Sequence, residues 1–183
     1  MGSPGVGKSF AIAGLAILLL LGGLFVVSYL VTVVIGLPPG LGQPAGGRIF
    51  GGILVFVGIV LAGWVFVYRT PAGMIVSTYI TFTKLFGGAP ISEPLGRTEP
   101  LVVLGPQRYV RHPLYLGVIL MTFGWALFGG VTFVLLGAVG LLLWDWWVLI
   151  PFEERELKAL FGERYVRYMS EVPMLIPFTK RKR

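Results

Sequence analysis

From position 10 to position 36 the chain runs for 27 residues without a charge, rich in Leu, Val and Ile. A hydrocarbon core about 30 Å thick is crossed by roughly 20 apolar residues at ~1.5 Å each. A peptide backbone in lipid must satisfy its own polar groups, which a helix does. This run is therefore a spanning helix. It is too long for the apolar region of a signal peptide, and no convincing small-residue cleavage site follows it. Residues 49–68 form a second uncharged stretch, 113–130 a third, and 131–150 a fourth in which Asp145 is the one charge. The Gly129-Gly130 pair between the last two predicts a tight helical hairpin. Only 13% of residues are charged and 56% are hydrophobic, against about 25% charged in soluble domains.

Residues 72–86, AGMIVSTYITFTKLF, are ambiguous. Fifteen residues of helix reach only about 22 Å, and Ser77, Thr78, Thr81 and Thr83 dilute the hydrophobicity. The segment reads as an interfacial helix or as a short fifth span. Residues 87–112 read as a polar loop rich in Pro and Gly. After Pro151 the character changes: Leu157, Leu160, Phe161, Tyr165 and Tyr168 recur at helical spacing with charges between them. This predicts an amphipathic helix outside the bilayer, with Glu153 and Glu154 in a first turn that favours carboxylates. The expected fold is an all-α integral membrane protein of four to five transmembrane helices. It has a C-terminal helical hairpin and a cytoplasmic amphipathic helix, in one membrane domain over 1–183.

The net charge is +7, and the placement of the cations explains it. With four spans, Lys8, five cations between 69 and 113 and eight in the tail share one side, against Arg48 on the other. With five spans the division is 13 against 2. Either topology puts the richer side in the cytoplasm, together with the 87–112 loop and the C-terminus. An integral membrane location follows, the inner or plasma membrane in a prokaryote. Lys180 to Arg183 add a contact for anionic lipid headgroups, worth ~1 kcal/mol per charge. No nucleic-acid motif is present, so membrane lipids are the expected partners. The chain has no cysteine, which excludes disulfides, thiolate metal sites, iron–sulfur clusters and a cysteine nucleophile. No metal site is expected.

The first ten residues contain GSPGVGKS, a full match to the phosphate-binding loop of nucleotide hydrolases. That loop works where a strand delivers it and a soluble helix follows. Only a methionine precedes the glycines here, and a membrane span follows. The string is a flexible lead-in with one lysine. The N-myristoylation pattern fails as well, because Val6 stands where Ser or Thr is required.

Chemistry concentrates in GPQRYVRHPLYLG, residues 105–117. Taken singly, Arg108 and Arg111 are interfacial anchors, Tyr109 and Tyr115 an aromatic belt, and His112 a cap before Pro113. Together they gather two guanidinium groups, an imidazole and two phenols at one membrane mouth. The hairpin returns the chain to the same mouth at Glu153 and Glu154. Arginines suit a carboxylate, glutamates an ammonium or ribose hydroxyls, and aromatic faces a cation. S-adenosylmethionine carries all of these groups. Asp145, inside a span, reads equally as a functional group or as the partner of a loop arginine. Trp144, Trp146 and Trp147 read as interface belt.

RHPLYLG, EE 36 residues after Gly117, then L-x-x-x-F-G-x-x-Y-x-x-Y and VPMLIPF resemble the isoprenylcysteine carboxyl methyltransferase and phospholipid methyltransferase families. The resemblance covers roughly residues 105–178. It implies an integral membrane methyltransferase that binds S-adenosylmethionine at the cytoplasmic face and acts on a lipidic or apolar acceptor. The cofactor residues implied are Arg108, Tyr109, His112, Pro113, Tyr115, Gly117, Glu153 and Glu154. His112, Arg111 and Glu153 are the catalytic candidates, His112 as the base for an acceptor that loses a proton. Residues 87–178 form the cofactor-binding catalytic half, and 10–86 supply spans on the lipid side where the acceptor enters. The family arginine near the C-terminal Val-Pro is absent: Glu171 and Met174 occupy the two positions where it occurs. Arg164, Arg167 and Asp145 are therefore the substrate-side candidates. Gln107 replaces an aromatic often found between Gly-Pro and Arg. Two other readings of the same residues are a sterol-reductase-like enzyme using NADPH and a non-catalytic membrane scaffold.

Overall fold

The computed structural model describes residues 6–88, 90–91, 100–177 and 179. Residues 2–5 of the opening octet, 92–99 of the polar loop and the basic cluster 180–183 lie outside them. The described residues form seven α-helices: α1 (Val6–Ile35), α2 (Ala45–Tyr68), α3 (Pro71–Gly87), α4 (Pro113–Gly129), α5 (Thr132–Trp144), α6 (Ile150–Phe161) and α7 (Glu163–Glu171). Residues 11–35 and 45–68, and the continuous stretch 132–161, are long and apolar enough to cross a membrane. Helix α4 is apolar and shorter. It is laid against α2 along its length.

That pairing depends on glycine. Gly51 and Gly58 of α2 face Gly124 and Gly117 of α4, seven residues apart on both helices. A Cβ at Gly51 would stand 2.5 Å from the Phe128 amide nitrogen and one at Gly58 2.6 Å from the Gly117 carbonyl. The backbones therefore approach as small residues allow in membranes. The contacts run 51 with 124 and 58 with 117, so the helices are antiparallel. Gly124→Leu is expected to push α4 off α2 and destabilise the fold by roughly 1–3 kcal/mol, the cost of overpacking. Thermal unfolding in detergent measures it.

Helix α1 lies antiparallel to α5: Tyr29 meets Phe133 edge-on with ring centroids 5.7 Å apart. The α4–α5 hairpin turns at Gly130, whose φ of 66° is open to glycine at little cost. At this end the 36–44 loop is pinned to the turn. Leu41 N–H donates to the Gly130 carbonyl at 2.8 Å and Thr132 N–H to that of Pro39 at 3.0 Å.

Helix α3 is not among the helices long and apolar enough to cross a membrane. It starts at the opposite end of the bundle, capped by the Thr70 hydroxyl, which accepts from Gly73 N–H at 3.2 Å. Near its other end, Lys84 forms an ion pair with Glu156 of α6 at 2.8 Å, both side chains fully buried. Thr81 also donates to Glu156, at 3.2 Å. Both ends of α3 thus stay at the end of the bundle where α6 emerges, leaving α1, α2, α4 and α5 as the four helices that traverse it.

Two local expectations are corrected. Pro151 does not end the fourth span, because a π-helical turn over Asp145–Leu149 joins α5 to α6. There the Ile150 amide bonds the Asp145 carbonyl, the wider i→i+5 spacing of a π turn. Glu153 and Glu154 consequently ride on the continuation of the span. The amphipathic segment is also not one helix: it breaks at Gly162, whose backbone (φ 53°, ψ −137°) only glycine adopts readily.

A candidate cofactor cleft at the end of the bundle

The site is built around the backbone of Arg111 and His112. Their amides precede α4, where N–H groups lack helical partners. The C-terminal segment fills that need: Arg111 N–H donates to the Pro173 carbonyl at 2.9 Å and His112 N–H to that of Met174 at 3.1 Å. Leu175 of the same segment packs with Ile119 and Ile150, and Met174 lies against this cluster. Burial of this apolar tail thus holds the RHP segment against the hairpin.

Arg111 closes the arrangement. Its Nε and Nη2 both reach Glu154 Oε1 at 2.7 Å. Its Nη1 donates to the carbonyls of Met169 and Val172, at 3.1 and 2.5 Å, at the C-terminal end of α7. The guanidinium is engaged on both edges by the protein, so Arg111 positions the site.

His112 is 5% exposed and lies between two carboxylates. Its Nε2 is 3.2 Å from Glu154 Oε1 and its Nδ1 3.7 Å from Glu153 Oε2. The Tyr115 hydroxyl donates to Glu153 Oε2 at 2.9 Å, and its ring sits 5.6 Å from the imidazole. Glu154 is within hydrogen-bond reach of Nε2, and Glu153 stands just beyond it from Nδ1. Glu153 is shared by His112 and Tyr115, so it is fixed in orientation where it borders open space. Tyr115→Phe removes one of those restraints and is expected to lower turnover by about tenfold, the worth of one hydrogen bond to a charged group (~1.5 kcal/mol). Initial rates under saturating substrates test it.

That open space is a cleft. Its walls come from the end of α2 (Val65, Arg69), one face of α3 (Met74, Ser77, Thr78, Thr81), the segments 100–102 and 111–115, and Glu153, Leu157, Phe161, Tyr165 and Tyr168. Two polar atoms on these walls are buried without a hydrogen-bond partner, Gln107 Oε1 and Tyr165 OH. Burial pushes both the Tyr165 and Tyr168 phenols up, with nearby carboxylates adding to the effect, so both remain neutral donors. The Tyr168 hydroxyl donates to the Gln107 backbone carbonyl at 2.7 Å, which sets the turn that carries Gln107.

The expected site residues divide accordingly. His112, Pro113, Tyr115 and Glu153 line the cleft, Arg111 borders it, and Glu154 stands behind His112. Gly117 faces α2, where a Cβ would meet the Gly58 carbonyl at 3.1 Å. Arg108 and Tyr109 are exposed, and neither lines the cleft. Arg164 and Arg167 are also exposed outside it, while Asp145 is buried at the π turn below Glu153. Arg69, Gln107, Tyr165 and the α3 hydroxyls were not among the expected site residues. The Ser/Thr spacing over 77–81 and the Gln107 departure were the available signals.

The chain is similar in sequence to known methyltransferases. A model of the phospholipid methyltransferase family matches residues 47–164, more than half the chain. Over 143 residues the chain is 34% identical to the methanethiol S-methyltransferase of Crocosphaera subtropica, covering 72% of this chain and 49% of that protein. The enzyme of that name from Mycobacterium tuberculosis is 34% identical over 134 residues, covering 66% and 50%. Protein-S-isoprenylcysteine O-methyltransferase B of Arabidopsis thaliana is 33% identical over 81 residues, covering 43% and 40%. The chain spans about half the length of the methanethiol S-methyltransferases it matches. No solved structure gives a significant match. The matched region carries the His112–Glu153–Glu154 constellation on α4 and α6, and the chain belongs to the phospholipid methyltransferase family.

Proposed function

We propose that the protein is an S-adenosylmethionine-dependent methyltransferase whose acceptor is a small apolar thiol. The observation that carries the reading is His112 held between Glu153 and Glu154, with Glu153 bordering a cleft of mixed character. The residues fit the cofactor. Glu153 suits the ammonium or the ribose hydroxyls, and Arg69 the carboxylate. The rings of Tyr115, Phe161 and Tyr165 suit a sulfonium, and Gln107 and Tyr165 offer polar atoms that the protein leaves unpartnered. When bound, S-adenosylmethionine supplies an electrophilic methyl group on a sulfonium and departs as the neutral thioether.

The protein's part is then orientation and proton acceptance. Alignment of two reactants accounts for much of such a barrier. A thiol has a pKa near 8.5 and loses its proton as its sulfur takes the methyl group. The His112–Glu153 pair accepts that proton, with Tyr115 steadying the carboxylate. Methanethiol is the acceptor named for several relatives. A carboxylate acceptor fits less well, since Arg164 and Arg167 lie outside the cleft.

The purified protein should transfer labelled methyl from S-adenosylmethionine to methanethiol and release labelled dimethyl sulfide. It should also bind S-adenosylhomocysteine in a calorimeter. Binding of NADPH in place of S-adenosylhomocysteine would overturn the proposal. The excess of cations on the cleft side favours a cytoplasmic cleft and C-terminus. Because the chain has no cysteine, Ser170→Cys and Gly46→Cys are clean reporters. In intact cells an impermeant thiol reagent is expected to label the second and spare the first.

A further inference from the structure

Gln107 is 4% exposed, yet its Oε1 finds no partner among the described residues. A buried amide oxygen left unsatisfied carries an uncompensated desolvation cost. The obvious alternative at this position is apolar, and it would carry no such cost. The carboxamide sits in the turn Gly105–Arg108, on the wall of the cleft that also carries Tyr165. The Tyr165 hydroxyl is unsatisfied too, and its ring lies 5.9 Å from that of Tyr168, whose own hydroxyl holds the Gln107 backbone. Gln107 and Tyr165 both line this cleft, and each keeps one buried polar atom unpaired.

We infer that Gln107 is a specificity-determining residue that reads the amino-bearing edge of the cofactor's adenine. The inference rests on the proposed cofactor. A carboxamide is a donor and an acceptor side by side, the complement of an adenine edge, which offers an amino donor beside a ring-nitrogen acceptor. Gln107 Oε1 accepts from the amino group and Nε2 donates to the ring nitrogen. The terminal amide torsion is soft, so the group turns to meet the ring without moving the backbone that Tyr168 fixes. Tyr165 supplies a further hydroxyl to the same nucleoside and does not sense its amino group. A purine ring that lacks the 6-amino group keeps the ring-nitrogen acceptor and loses the donor, so no turn of the amide satisfies both of its atoms. A polar site left mismatched discriminates far more strongly than an apolar one.

Calorimetry on the full chain in detergent tests this with S-adenosylhomocysteine and its purine analogue lacking the 6-amino group. The wild type is expected to favour the adenosyl compound by tenfold or more, from one lost hydrogen bond and the buried amide oxygen it leaves unpaired. Gln107→Leu should reduce that preference to within about twofold while raising the thermal midpoint of the ligand-free protein, because an unsatisfied amide is gone. Gln107→Met serves if the leucine variant misfolds. Tyr165→Phe should weaken both compounds alike. An unchanged preference in Gln107→Leu or Gln107→Met overturns the inference, as does a loss that follows the ligand carboxylate when decarboxylated S-adenosylhomocysteine is compared. Failure of the wild type to bind either nucleoside would instead sink the proposed function itself.

Discussion

Glu154→Gln is expected to lower kcat/KM by roughly 100-fold, the scale on which a misplacement of about 1 Å acts on a catalytic group. One oxygen, Glu154 Oε1, receives Arg111 Nε and Nη2 and lies 3.2 Å from His112 Nε2. The amide retains an acceptor but not the charge, and it offers a donor where only acceptors fit. Arg111 then carries an unbalanced charge in a site where its side chain is 6% exposed. The imidazole loses the group that fixes one of its nitrogens. Because Glu154 does not line the cleft, S-adenosylhomocysteine affinity should fall far less than turnover. That split is the signature of positioning, and equal losses in binding and turnover would place Glu154 against the ligand. Arg111→Lys should reproduce much of the defect, since an ammonium cannot span Glu154 and the two α7 carbonyls at once.

The second large effect is on stability. Lys84→Met should cost about 3–5 kcal/mol, because it leaves Glu156 charged and buried. Both side chains of the pair are fully buried, and Lys84 also donates to the Ile91 carbonyl at 3.0 Å. The companion variant Lys84→Met/Glu156→Leu is expected to recover most of the loss, since apolar side chains can replace a buried pair at little cost. Thermal unfolding of both variants and of Glu156→Leu completes a double-mutant cycle, which isolates the pair. The consequence for function is specific: the pair ties α3 to α6, and Ser77, Thr78 and Thr81 of α3 line the cleft. The single variant should therefore also weaken cofactor binding, and the double variant should restore it.

The spans and the hairpin were legible because lipid imposes one requirement on every residue of a run, so composition alone reports it. The meeting of the RHP segment with Glu153 and Glu154 was legible for a related reason: a hairpin with a two-glycine turn must return to the same side. What failed was local punctuation read without its neighbours. Residues 131–150 and the segment after Pro151 read as separate elements, but the π turn at Asp145–Leu149 joins them. Residues 72–86 resemble a diluted span because their polar side chains are counted as a loss of hydrophobicity. In the fold, Ser77, Thr78 and Thr81 face a cleft and Lys84 meets a carboxylate 72 residues away. No window along the chain contains that pairing.

Arg164 and Arg167 illustrate the other limit. Charge type suggested a substrate role, while helical phase decides it. In α7 the buried positions are Tyr165 and Tyr168, and each arginine stands one residue, about 100° of helix, off that face. The glycine ladder was also in plain view, at seven-residue spacing in two segments. Glycines in an apolar run read as filler until the partner helix brings its own to the same height. The N-terminal match to a phosphate loop shows the converse: its last four residues, 6–9, begin helix α1.

On the proposed function, the nucleoside cofactor sits between the RHP segment, α3 and α6. Ultraviolet crosslinking of methyl-labelled S-adenosylmethionine to the purified protein, followed by peptide mapping, tests it directly. The expected result is label confined to peptides covering residues 69–81, 100–115 and 153–168, suppressed by S-adenosylhomocysteine and lost in Glu153→Gln. Label on the lipid-facing lengths of α1 and α2, or label displaced by NADPH and not by S-adenosylhomocysteine, would contradict it.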